Sequence, residues 1–175
     1  MTKLTETEIQ QAQLGWRHYH MLSSLGFFLQ IEGFEKRFPF FNELRNHNVI
    51  EIGPGKNPVN SHFQCGSYCA ADGEYPNDGL SFLRRKKSES AVVVSFGVID
   101  DVILMLDHKD ETIGLRYVND LITEIKRVSK PFSLIAGADV QKYMGMPDVP
   151  ILDNCTEYGG IYYPKKPEFV SRRMH

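Results

Sequence analysis

Residues Ser90-Ala-Val-Val-Val-Ser-Phe96 constrain the fold more than any other stretch. The run is apolar and β-branched with no polar alternation, which is the composition of a strand buried on both faces. Strands of that kind belong to parallel sheets covered by helices on each side, so the chain reads as α/β. Parallel strands need helical crossovers, and Tyr117-Val-Asn-Asp-Leu-Ile-Thr-Glu-Ile-Lys-Arg-Val128 supplies one. Its Val118, Leu121, Ile122, Ile125 and Val128 share a face. Pro131 stops it, and Phe132-Ser-Leu-Ile-Ala136 follows as the next strand.

A second apolar run, Val49, Ile50 and Ile52, ends abruptly at Gly53-Pro54-Gly55. A strand that finishes in glycines lets the backbone turn with no side chain in the way, so a ligand can approach the main chain. Glu51 stands just before the glycines, where a carboxylate can meet a cation or fix the loop. Ser67 to Ala71 reads as another strand and ends at Asp72-Gly73. Asp72 lies about 20 residues beyond the first glycine, the separation at which βαβ nucleotide-binding units place a ribose carboxylate. A plain strand-end Asp before a turn is the competing reading, and Glu74 is the reserve candidate for the ribose.

These segments resemble, in order, the motifs of class I S-adenosylmethionine-dependent methyltransferases. Glu51, Gly53 and Gly55 stand on the acidic and leading glycine positions of acidic-x-Gly-x-Gly, and Asn57 on the third, in a Gly-x-Asn-Pro variant. Asp78-Gly79 with Phe82-Leu83 is similar to a segment whose Asp lies near the adenine amino group; Asp78 as the cap of a helix over Leu80–Lys87 is the equal alternative. Ser95-Phe-Gly-Val-Ile-Asp-Asp101 resembles the fourth motif. Glu124-Ile-Lys-Arg-Val-Ser-Lys-Pro131 is very close to the turn into the fifth strand, and Glu124 and Arg127 are spaced to pair on the helix surface.

The resemblance implies a single domain over residues 1–175 with a mainly parallel Rossmann-like sheet flanked by helices. Residues 1–46 would form an N-terminal helical cap, 47–138 the cofactor-binding core and 139–175 an abbreviated C-terminal segment. Strands are expected at about residues 48–53, 67–71, 91–96, 132–136 and 160–163. Helices are expected over Thr5–Leu29, opened by a Thr5/Glu8 capping box, and over Glu32–Phe41. The segment after the glycine loop, Asn60–Gly66, is too short for the usual helix, and the usual third strand is nearly absent.

The cofactor implied is S-adenosylmethionine, held by Glu51, Gly53, Gly55, Asn57, Asp72, Asp78, Ser95 and Phe96. Asp100 and Asp101 are the candidate catalytic carboxylates and His108 the next base. The family's acidic-His pair is replaced there by two aspartates. The acceptor expected is a small molecule. A non-catalytic methyltransferase-like interaction module is the alternative, and a homodimer goes with it.

Composition narrows the partners. A formal net charge of -2 recruits neither nucleic acid nor an anionic membrane. No apolar run of about 18 residues is long enough to span a bilayer, and the polar opening Met1-Thr-Lys-Leu-Thr-Glu leads to the expectation of no signal peptide. Cys65, Cys69 and Cys155 complete no metal set, so no metal is expected and free thiols in the cytoplasm are.

Overall fold

A computed structural model describes residues 3–14, 39–55, 57–72, 76–96, 98, 111–136 and 159–162. Five strands form one sheet: β1 (Asn48–Ile52), β2 (Ser67–Ala71), β3 (Val92–Phe96), β4 (Ser133–Ala136) and β5 (Gly159–Tyr162). Their order across the sheet is β2-β1-β3-β4-β5. The first four are parallel and β5 runs antiparallel to β4. The expected strands all form, with ends displaced by a residue at most, and the family's third strand has no counterpart beyond β2 among the described residues.

The core explains the order. Every residue of β3 is at most 2% exposed, the double-sided burial that its apolar run demands. In register, Ile50, Val93 and Ile135 project to one face of the sheet. There they meet Leu80 and Leu83 of helix α2 (Gly79–Arg84) and Tyr117, Val118, Leu121 and Ile125 of helix α3 (Glu111–Val128). On the opposite face lie Val49, Val92, Val94 and Leu134, all buried. Phe41, from a 3-10 helix at Pro39–Asn46, stacks between Phe63 (4.2 Å) and Phe96 (6.0 Å) at that face.

Of the two expected N-terminal helices the first forms in its opening part; of the second, Glu32–Phe41, residues 32–38 lie outside the described residues and residues 39–41 open the 3-10 helix. Helix α1 covers Glu6–Leu14, and the remainder of the helix expected to Leu29 lies outside the described residues. Its capping box forms in full: Thr5 N–H donates to Glu8 Oε2 at 2.8 Å, and Glu8 N–H donates to Thr5 Oγ1 at 3.3 Å. The Thr5 N–H bond and the Arg116 guanidinium hold the Glu8 carboxyl down at about 2. Leu4 and Ile9 join the helix-side core. The backbone at Leu4 is clamped from both sides, its N–H by Asp120 at 3.0 Å and its carbonyl by Arg84 at 2.8 Å. Arg84 is partly buried and pairs with Asp120 at 2.7 Å.

Glu124 and Arg127 do pair, at 2.6 Å, with the acid end buried: Glu124 is 3% exposed, while Arg127 stays partly open to solvent. The guanidinium also donates to the carbonyls of Leu83 (2.7 Å) and Lys86 (2.8 Å), closing the end of α2. The segment most similar to the methyltransferase turn is thus a splice between two helices. Helix α3 begins at Glu111, six residues before the amphipathic run starts.

Candidate ligand site at the carboxyl ends of the strands

From β1 the chain first adds β2 on one side and then crosses to β3 on the other. The carboxyl ends of β1 and β3 are therefore the point where the winding reverses, and open α/β sheets bind ligands in the crevice there. Two expected binding segments, the glycine loop after β1 and Ser95–Phe96 at the end of β3, flank this point.

In the glycine loop, Gly53 and Gly55 both adopt left-handed backbone, with φ 62° and 56°. An L side chain is disfavoured there, which accounts for the residue type. Gly53 is not open to a ligand as the sequence suggests. A Cβ on it would lie 2.6 Å from Val98 Cγ2, so the close approach is made by the chain itself. Gly53 N–H donates to Ala71 O at 2.9 Å, tying the loop to β2. Gly55 is exposed and Asn57 is half-buried.

Glu51 closes the loop. It is 1% exposed, and its Oε2 accepts Val59 N–H at 2.8 Å and Tyr68 O–H at 2.7 Å. Burial raises its carboxyl above the ordinary 4.5; the two hydrogen bonds oppose that rise and the charge of Asp72 adds to it. Tyr68 is pushed far above a normal phenol, first by burial and then by its bond to Glu51. The Cys65 thiol is also raised, by burial and by Glu51. Asp72 is exposed at the end of β2.

On the helix face of the sheet, Asp78 is the N-cap of α2 and is 1% exposed. Its Oδ1 accepts Ser81 N–H at 3.0 Å and Tyr117 O–H at 2.9 Å. Tyr117 also accepts Leu80 N–H at 3.3 Å, and its phenol is raised well above normal by burial and then by Asp78. Gly79 lets α2 sit directly on β1: a Cβ there would be 2.5 Å from Ile52 Cγ2. Ile52 is in turn the register partner of Ser95. Ser95 Oγ and Asp78 Oδ2 are both buried and have no hydrogen-bond partner. Phe96 is 2% exposed and packs into the aromatic stack on the other face.

The capping alternative for Asp78 is therefore realised through Oδ1, while Oδ2 stays available to a donor. Glu51, Gly53, Gly55, Asn57, Asp72, Asp78, Ser95 and Phe96 all lie at the carboxyl ends of β1, β2 and β3 or on the loops that leave them. The sheet divides them, with Glu51 and Phe96 on one face and Ser95 and Asp78 on the other. Asp100, Asp101, Glu74 and His108 lie outside the described residues. Sequence reading missed Tyr68, Tyr117 and Val98. Tyr117 had a signal, since it precedes Leu121 by one helical turn; Tyr68 and Val98 had none.

No group of His, Cys, Asp or Glu able to hold a metal ion occurs among the described residues. No described helix is long and apolar enough to cross a membrane. Comparison with protein-family models, with curated proteins and with solved structures found no match.

Proposed function

We propose that this protein is a cytoplasmic S-adenosylmethionine-dependent methyltransferase of a small-molecule acceptor, with its ligand at the carboxyl ends of β1 and β3. The observation that carries the reading is that Asp78 Oδ2 and Ser95 Oγ are two of the four buried polar side-chain atoms without a partner among the described residues, the others being Ser81 Oγ and Arg84 Nε. A buried acceptor without a donor costs about 1–3 kcal/mol, more when charged. An adenine amino group at this place would donate to Asp78. Exposed Asp72 suits the two ribose hydroxyls, which a carboxylate accepts together. Gly55 carries no side chain toward an approaching ligand.

The bound group would supply a methyl carbon already activated by its sulfonium. The protein's own share is alignment of the acceptor and acceptance of its proton. That second role is assigned to Asp100 or Asp101, which follow β3 in sequence. Glu51 and Gly53 contribute indirectly, since their partners are Val59, Tyr68 and Val98. This internal use of two expected ligand contacts favours the second reading, a methyltransferase-like binding module without turnover.

Calorimetric titration with S-adenosylmethionine and with its demethylated product tests the site. Binding should be present and should weaken at least tenfold in Asp72→Ala. Transfer of a labelled methyl group to a cell extract separates the readings: binding with transfer supports the enzyme, and binding without transfer supports the module. Parent protein that binds neither compound rules out both.

A further inference from the structure

The glycine loop occupies the position at which Rossmann-like sheets commonly hold phosphate, yet several of its backbone donors are missing or already used. Of the six described residues from Gly53 to Val59, Pro54 and Pro58 have no N–H, and Gly53 and Val59 already donate within the protein. The element after the loop is a 3-10 helix of three residues, Val59–Ser61, in place of a full helix whose amino terminus could attract an anion. The N–H at its start is taken by the Glu51 carboxyl group, so a side chain of the protein already occupies that donor. Asp72 adds a second carboxylate nearby, whose charge is felt at Glu51. Among the described residues no Lys or Arg forms an ion pair with either acid.

We propose that Glu51, held by Tyr68 and Val59, is a specificity-determining residue that closes this site to phosphate groups, so that the nucleoside ligand it admits carries none. The inference rests on the reading above that an adenosine-containing ligand binds here. It adds that nucleotides and dinucleotides, the other ligands common to such sheets, are refused by this loop in particular. The exclusion works in two ways. The N–H donor is occupied whether Glu51 is ionised or not, and a phosphate placed beside Glu51 and Asp72 meets like charge in a partly desolvated setting.

The test is calorimetric titration of the intact protein with adenosine, AMP, NAD and S-adenosylmethionine. Adenosine should bind, and AMP and NAD should bind at least tenfold more weakly. Glu51→Ala leaves Val59 N–H and Tyr68 O–H without their acceptor and removes the carboxylate, so the AMP-to-adenosine affinity ratio should rise at least tenfold. Glu51→Gln keeps an acceptor for both donors and should raise the ratio less. If Glu51→Ala does not fold, Asp72→Asn at an exposed position probes the same repulsion through the same ratio, and a several-fold rise is expected. AMP or NAD binding the parent as tightly as adenosine overturns the proposal. So does a ratio that the folded variants leave unchanged. Adenosine bound with phosphates refused, but with no affinity for S-adenosylmethionine, keeps this inference and removes the methyltransferase. Failure of all four to bind removes both.

Discussion

Replacing Arg127 by methionine should destabilise the protein by about 3–5 kcal/mol, the usual cost of stranding one member of a buried ion pair. Arg127 donates to Glu124 Oε2 (2.6 Å), Leu83 O (2.7 Å), Lys86 O (2.8 Å) and Ser88 Oγ (3.2 Å). Methionine keeps most of the aliphatic stem and removes every donor. The carboxylate left behind has a side chain only 5% exposed, and its remaining cation, Lys3, is 3.7 Å from the other oxygen and itself largely in solvent. The Arg127 side chain is 30% exposed, so water can reach the two carbonyls of α2. The lower half of the range therefore applies, about 3 kcal/mol, or roughly 6–12 °C in melting midpoint for a chain of this size. Urea denaturation followed by circular dichroism measures it, with an unchanged m-value required for a clean comparison. Glu124→Gln in the same background should recover at least about 1 kcal/mol, because the stranded charge is gone. A loss below about 1 kcal/mol in Arg127→Met, or strict additivity in the double variant, would refute the assignment of this pair as an internal splice.

Tyr117→Phe should cost about 1–3 kcal/mol in the same assay, since Asp78 loses a donor and Leu80 N–H its acceptor. Glu8 has a folded-state carboxyl held at about 2, below the ordinary 4.5. Its contribution is present above the ordinary value and is lost as pH falls through 4.5 toward 2. Glu8→Gln should therefore flatten the fall in melting midpoint across that window, as read by a pH series of thermal melts. Gly53→Ala should lose about 1–2 kcal/mol from the left-handed backbone alone and more from the contact with Val98. Val98→Ala in that background should restore only the second part.

The strands were legible because their signal is local. Val92-Val93-Val94 can be satisfied only by cover on both sides, and Val49-Ile50-x-Ile52 ends where two glycines end it. The capping box at Thr5 was equally plain, because all its bonds span three residues. The binding candidates were only half legible. Sequence places Glu51 before a glycine loop, but Tyr68, the residue that turns it from a ligand contact into a latch, is 17 positions away. Arg84, Asp120 and Leu4 show no mutual pattern in sequence and meet because α1 and α2 both pack on α3.

The sequence by itself determined the class of sheet, the residues at its carboxyl ends and the backbone conformations that only glycine accepts readily. Each follows from the chemistry of a few neighbouring residues. Tertiary structure alone decided what fills the space at Gly53, which oxygen of Asp78 is used and which is left without a partner, and that Glu124 is buried. Those outcomes depend on which distant side chains arrive at the same point, and Val98, Tyr117 and Arg127 reach theirs only once β3 and α3 are laid across β1. Local patterns carry no record of such meetings, because the free energy of a buried polar group is set by its partners in space.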